Sequence, residues 1–85
     1  MEKVVVIGAG RSGRGYVGEL YDLEGYEITY ADIDQELVDR LNGQGYYTVF
    51  KIDEDGSEEV RRITGYRALH TIRDHRAYID AIVEA

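Results

Sequence analysis

The fold is decided by the stretch VVVIGAGRSG, residues 4–13 of the 85-residue chain. Its first four residues are apolar and β-branched, which is typical of a short strand covered on both faces of a parallel sheet. Glycines follow at Gly8, Gly10 and Gly13, with the spacing G-x-G-x-x-G. A glycine pattern of this kind between a strand and a helix is typical of a loop that binds the phosphates of a dinucleotide.

Each of the three glycines has its own predicted role. Gly8 makes the tight turn after the strand, Gly10 lets the backbone approach a pyrophosphate, and Gly13 allows close packing of helix against strand. The helix that follows presents free N–H groups and a positive dipole end to the phosphates. The alternative is a glycine-rich turn without a ligand, because ten glycines in the chain make the bare pattern a weak signal. Its position between a strand and a helix favours the binding loop.

The N-terminal half alternates between strand and helix in the manner of a parallel βαβ unit. After the first strand it predicts a helix over 12–24 that ends at Gly25, a strand over 27–31, and a helix that starts at Asp34 and ends at Asn42-Gly43. The apolar residues at helical spacing are Val17, Leu20, Tyr21 and Leu23 in the first helix and Leu37, Val38 and Leu41 in the second. Asp34 is the predicted cap of the second helix, since its carboxylate can accept a hydrogen bond from the first turn.

The C-terminal half changes character. It predicts a hairpin of strands 47–52 and 59–64 around a turn at 53–56, a further strand within 66–72, and a helix capped by Asp74 with Tyr78, Ile79, Ile82 and Val83 on one side. The predicted fold class is therefore α/β, a partial Rossmann-type fold in which a βαβα parallel core is followed by a β-hairpin and a C-terminal helix. We expect residues 1–85 to form a single partial dinucleotide-binding domain.

Asp32 supplies the second part of the dinucleotide fingerprint. It ends the second predicted strand, 19 residues after Gly13, close to the separation of about 20 in known fingerprints. A carboxylate at this position accepts hydrogen bonds from the ribose hydroxyls and repels a 2′-phosphate, which favours NAD over NADP. The alternative role for Asp32 is a helix cap, but Asp34 fits that role better.

The predicted cofactor-binding residues are Gly8, Ala9, Gly10, Arg11, Ser12, Gly13, Arg14, Asp32 and Ile33. Arg11 and Arg14 flank the glycine loop, and either can lie near the pyrophosphate. Arg11 can also reach toward the adenosine side, and for both arginines the alternative is exposed charge on an acidic chain. NAD is the expected cofactor, while FAD or another adenosine cofactor remains an open alternative.

Composition argues against several other functions. The net charge of −7 disfavours binding to nucleic acid or to an anionic membrane, and the chain has no cysteine for a disulfide or a thiolate metal site. No apolar run approaches the roughly 20 residues that span a bilayer. The N-terminus lacks the layout of a signal peptide, so we expect a cytoplasmic protein.

No metal site is expected. His70 and His75 have no partner at metal-ligand spacing and are interpreted as structural or surface histidines. The acidic turn at 53–56 would place Lys51 and Arg62 at the first and last positions of a calcium loop, which excludes an EF-hand.

Residues 7–18, IGAGRSGRGYVG, resemble the N-terminus of the mannitol-1-phosphate 5-dehydrogenases, a group within the polyol-specific long-chain dehydrogenases. Gly13-Arg14-Gly15 followed by Gly18 resembles the signature of that family. The similarity continues through residues 28–35 and Leu41-Asn42, and more loosely through 47–49 and the hairpin. The resemblance implies that residues 8–15 form the phosphate loop for NAD and that Asp32 holds the ribose.

The resemblance also implies parts that this chain lacks. Family members are several times longer, and their catalytic lysine and substrate-binding residues lie in a later, mostly helical domain with no counterpart here. We therefore expect no catalytic residue in this chain, which would be an inactive fragment of an enzyme that transfers hydride between NAD and a polyol phosphate. The family reaction converts mannitol 1-phosphate to fructose 6-phosphate. The alternative function is a stand-alone NAD-binding sensor or regulatory module without catalysis.

The first strand is expected to have an open edge. Family members continue after the third helix with an apolar strand that pairs with the first strand, and this sequence stops before it. Unpaired backbone groups on an apolar strand promote association. We expect this edge to pair with another copy of the chain, to exchange elements with one, or to contact the remainder of a longer dehydrogenase.

Overall fold

A computed structural model of the chain describes residues 2–10, 14 and 17–85. The elements, in chain order, are β1 (Lys3–Ile7), α1 (Gly18–Leu23), β2 (Glu27–Asp32), α2 (Gln35–Gln44), β3 (Tyr46–Ile52), β4 (Glu58–Thr64), β5 (Arg67–His70) and α3 (His75–Glu84). This order confirms the predicted α/β class, the five strands and the hairpin. The predicted start of the first helix at Ser12 lies outside the described residues, but its end at Gly25 is confirmed, where φ is +79°.

Three of the strands form a parallel sheet in the order β1-β2-β5, and β3 pairs with β4 as a separate antiparallel hairpin. The register places Ile7 beside Ala31 and Asp32 beside His70. The carboxyl ends of the three parallel strands therefore meet at one edge of the sheet. Within the described part of the chain, β1 pairs with β2 alone, so its other edge is open, as predicted.

The core lies on one face of the sheet, where α2 and the hairpin cover it. Tyr30, Val38 and Ile63 are its largest fully buried side chains. Tyr30 also contacts Tyr47 and Tyr66, with ring centroids 5.9 and 5.6 Å away, and its hydroxyl is hydrogen-bonded to that of Tyr47. These edge-to-face contacts join the hairpin to the parallel sheet.

The layer on the opposite face is thin. α3 packs there against β1 and β5, and Ala81 is its one buried residue. The apolar side predicted for this helix is largely exposed, with Ile79, Ile82 and Val83 at 41%, 42% and 78% exposure. This helix therefore presents an apolar stripe to solvent beside the open edge of β1.

The end of α2 differs from the prediction. The helix was expected to end at Asn42-Gly43, but it continues to Gln44 and is capped by Gly45 with φ of +77°. Asn42 has a tertiary role instead, because its side-chain amide donates to the carbonyl of Ala68 at 2.8 Å and accepts from the N–H of Ala68 at 2.9 Å. It thereby pairs with the outer edge of β5 in the way that a neighbouring strand would.

Replacing Asn42 is expected to destabilise the fold. Asn42→Ala leaves the N–H and carbonyl of Ala68 without their partners, at a cost of about 2 kcal/mol in the free energy of unfolding. Asn42→Asp keeps the acceptor but sets a carboxylate against the Ala68 carbonyl, so it should destabilise as well. Urea unfolding measures both variants. Arg40→Ala is the matched control, since Arg40 makes an exposed ion pair with Glu36 and no other ion pair with the described residues. Equal stability of Arg40→Ala and both Asn42 variants would contradict the role of Asn42.

Candidate functional site

A groove of about 290 Å³ lies at the carboxyl ends of the parallel strands. Its lining residues are Ile7, Gly8, Ala31, Asp32, Ile33 and Thr71. They come from the last residues of β1 and β2 and from the loops after β1, β2 and β5, which the register brings to the same edge of the sheet. Open α/β sheets bind their ligands at this edge, in the crevice outside the strand ends.

The glycine loop leaves β1 in a conformation that glycine favours. Gly8 has φ of +92°, and its N–H donates to the carbonyl of Ala31 at 2.7 Å. Ala9 is fully buried. Among the described residues, a Cβ added at Gly10 would meet nothing within 4 Å, so these residues leave the backbone at this position open for approach. The N–H of Arg14 donates to the carbonyl of Gly10 at 3.0 Å.

The carboxylate of Asp32 faces this loop. Its Oδ2 accepts a hydrogen bond from the N–H of Ala9 at 2.7 Å, and its Oδ1 accepts one from the N–H of Asp34 at 2.8 Å. The hydrogen bond from Asp34, followed by that from Ala9, holds the pKa of Asp32 below its usual value. The carboxylate is therefore ionised at neutral pH, and an ionised carboxylate can accept several hydrogen bonds on its two oxygens.

The structure confirms the predicted role of Asp34 as the cap of the second helix. Asp34 is the N-cap of α2, and its Oδ1 accepts from the N–H of Leu37 at 3.1 Å. Asp32 is therefore not needed as a cap, and its carboxylate spans the distance between the glycine loop and the turn before α2.

The structure brings six of the nine predicted site residues to this edge: Gly8, Ala9, Gly10, Arg14, Asp32 and Ile33. The Nε of Arg14 donates to the carbonyl of Ala9 at 2.8 Å, so this half-buried side chain fastens the loop. Ile33 is 68% exposed at the groove. Arg11, Ser12 and Gly13 lie outside the described residues, as does Gly15 of the family signature.

Two residues at this edge were not predicted as part of the site. Thr71 lines the groove directly after β5. His70, interpreted from the sequence as a structural or surface residue, is buried, and its Nε2 lies 2.8 Å from the carbonyl oxygen of Ile33. The signal that could have identified them is their place at the end of a third parallel strand. Asp74, the predicted cap of α3, occupies the N-cap position, but its Oδ2 accepts from the N–H of His70 at 2.8 Å and makes no cap hydrogen bond to the helix.

The glycine loop and the facing carboxylate define a dinucleotide-binding domain of the Rossmann class. A sequence profile described as the mannitol dehydrogenase Rossmann domain matches residues 2–85. The chain belongs to this family, which confirms the resemblance seen in the sequence. A Rossmann domain of this family implies a dinucleotide cofactor.

Individual relatives agree with the family assignment. The mannitol-1-phosphate 5-dehydrogenase of Thermoanaerobacter pseudethanolicus is 43% identical over 86 residues, which cover 100% of this chain and 21% of the relative. That of Caldanaerobacter subterraneus is 38% identical with the same coverage. That of Shouchella clausii is 36% identical over 83 residues, 98% of this chain and 22% of the relative. The chain thus spans about a fifth of the length of these relatives and matches their N-terminal Rossmann domain.

Two kinds of feature are absent from residues 2–10, 14 and 17–85. No helix there is both long and apolar enough to cross a membrane. Within the same residues, no group of three or more His, Cys, Asp or Glu side chains is arranged to hold a metal ion.

Proposed function

We propose that this chain is the NAD-binding part of a polyol-phosphate dehydrogenase similar to the mannitol-1-phosphate 5-dehydrogenases. The observation that carries the proposal is the ionised carboxylate of Asp32, held at 2.7 Å from the N–H of Ala9 in the glycine loop. One acceptor group thus lies directly beside a loop whose backbone at Gly10 is left open by the other described residues. This pair of features fits the ribose and the pyrophosphate of an adenine dinucleotide.

The residues of the chain have separate roles in this proposal. Gly10 lets the backbone approach the phosphates after the turn at Gly8. Arg11 and Ser12 belong to the same loop, and Gly13 allows close packing of helix against strand, as expected from the motif. Arg14 holds the loop through the carbonyl of Ala9. The carboxylate of Asp32 accepts hydrogen bonds from the ribose hydroxyls, and its negative charge disfavours the 2′-phosphate of NADP. NAD, when bound, supplies the hydride acceptor of the reaction.

The proposed partner besides the dinucleotide is the remainder of a dehydrogenase, with catalysis in that part and none in this chain. The open edge of β1 and the exposed apolar side of α3 support a contact there, and a second copy of the chain is the alternative occupant. The proposal treats residues 1–85 as a single partial domain. Nothing in the comparisons favours the sensor or regulatory module, and the cytoplasmic location stays a prediction.

Isothermal titration of the chain with ADP-ribose, NAD and NADP tests the proposal. We expect ADP-ribose and NAD to bind with similar affinity, because the described site contacts only the adenosine and phosphate groups, and we expect NADP to bind more weakly. With mannitol 1-phosphate and NAD the chain alone should form no NADH. Absence of binding by both ADP-ribose and NAD, or tighter binding of NADP, would refute the assignment.

A further inference from the structure

We propose that His70 is a positioning residue for adenosine recognition, acting on Asp32 through the peptide group between Ile33 and Asp34. The inference rests on the proposed function, in which Asp32 holds the ribose. His70 lines no part of the groove itself, and its side chain is buried, with 9% of the residue exposed. It therefore acts on the ligand through its contacts with the neighbouring loop.

The hydrogen bonds of the imidazole assign its tautomer. Nδ1 accepts from the backbone N–H of Ile72 at 3.2 Å and from that of Arg73 at 2.9 Å, so it carries no proton. The proton of the neutral ring is therefore on Nε2, which donates to the carbonyl of Ile33 at 2.8 Å. One ring thus joins the turn after β5 to the turn after β2.

The carbonyl that His70 holds belongs to the same peptide group as the N–H that binds Asp32. That group joins Ile33 to Asp34, and its N–H donates to Oδ1 of Asp32 at 2.8 Å. Since a peptide group is planar, its carbonyl and its N–H rotate together. The hydrogen bond from His70 therefore restrains the N–H that orients one oxygen of the Asp32 carboxylate.

The turn that carries His70 is itself anchored. Oδ2 of Asp74 accepts from the N–H of His70 at 2.8 Å, and the guanidinium of Arg73 donates to Oδ1 of Asp39 on α2 at 2.9 Å. The N–H of Thr71 donates to the carbonyl of Asp32 at 3.1 Å. Because these contacts fix the turn, the imidazole offers a rigid donor to the peptide group after Ile33.

Two substitutions of His70 test the hydrogen bonds of Nδ1 and of Nε2 separately. The amide oxygen of His70→Asn lies close to the position of Nδ1 and can accept from the turn, but its side chain is too short to reach Ile33. The amide nitrogen of His70→Gln lies close to the position of Nε2 and can donate to Ile33, but the acceptor for the turn is lost. We expect both variants to have a lower free energy of unfolding, which urea unfolding measures. A purely structural role of His70 would explain that loss equally well, so stability alone does not test the proposal.

The affinity for ADP-ribose should distinguish the variants. We expect His70→Asn to bind ADP-ribose about tenfold more weakly than the wild type, the effect of one lost hydrogen bond, and His70→Gln to bind within about twofold of it. Equal losses in both variants, or no loss in His70→Asn, would overturn the proposal. Should His70→Asn not fold, retained affinity of His70→Gln supports the proposal and a tenfold loss in it overturns it.

Amide hydrogen exchange tests the contact between His70 and Ile33 without a ligand. The N–H of Asp34 should exchange slowly in the wild type and in His70→Gln, and faster in His70→Asn. The N–H of Leu37 in the first turn of α2 is the reference amide. Unchanged protection of Asp34 in His70→Asn would overturn the positioning role. A wild type that binds no ADP-ribose would refute the proposed function, whereas the exchange data test the contact between His70 and Ile33 by themselves.

Discussion

Gly10→Val is expected to reduce the affinity for NAD by at least about 100-fold while the free energy of unfolding changes little. The backbone at Gly10 has no positive φ, and an added Cβ would meet nothing within 4 Å among the described residues, so we expect the folded state to accept a larger side chain. In the complex the same side chain occupies the space through which the pyrophosphate must approach. Loss of about two charge-assisted hydrogen bonds from the loop accounts for an effect of this size.

Gly43→Ala is the matched control for Gly10→Val. Gly43 lies in α2, and its added Cβ also meets nothing within 4 Å. Alanine should stabilise the helix by about 0.5–1 kcal/mol without any effect on NAD binding. Titration calorimetry and urea unfolding on the wild type and both variants give the two quantities. Binding of NAD to Gly10→Val within threefold of the wild type would show that the loop does not approach the phosphates.

The parts of the site that the sequence could predict are those carried by local pattern. A short apolar strand followed by glycine at fixed spacing requires a turn, and the turn at Gly8 has the positive φ expected of it. Asp34 was identified as the cap of α2 because capping depends on the residues of one helical turn. The position of Asp32 could be predicted from local sequence too. An aspartate that ends a parallel strand, and is not the helix cap, lies at the ligand-binding edge of the sheet.

The parts that the sequence could not predict depend on residues far apart in the chain. Asn42 was interpreted as a helix end, because its partner, Ala68, is 26 residues away. His70 joins the site through Ile33, 37 residues earlier, and only the pairing of β2 with β5 brings the two together. The helical spacing of apolar residues identified the apolar side of α3 but not whether that side is buried. Its burial depends on whether another part of a structure covers the helix, which the spacing alone does not show.

Asp32→Ala is expected to weaken NAD binding by about 100-fold and to bring the affinities for NAD and NADP close together. Replacement of the carboxylate by a methyl group removes two acceptors for charge-assisted hydrogen bonds from the ribose hydroxyls. It also removes the negative charge that repels a 2′-phosphate. The variant should also lose stability, because the N–H groups of Ala9 and Asp34 lose their common acceptor. The ratio of the two affinities is therefore a better measure than the NAD affinity alone.

Two companion variants separate the charge of Asp32 from its structural contacts. Asp32→Asn keeps one acceptor oxygen near the loop and removes the charge, so it should lose the preference for NAD with a smaller loss of stability than Asp32→Ala. Asp34→Ala removes the cap of α2, at about 1 kcal/mol, and leaves the charge of Asp32 in place. It should therefore reduce stability while the ratio of NAD to NADP affinity stays that of the wild type. If the ratio changes in Asp34→Ala and not in Asp32→Asn, the preference for NAD does not come from the carboxylate of Asp32.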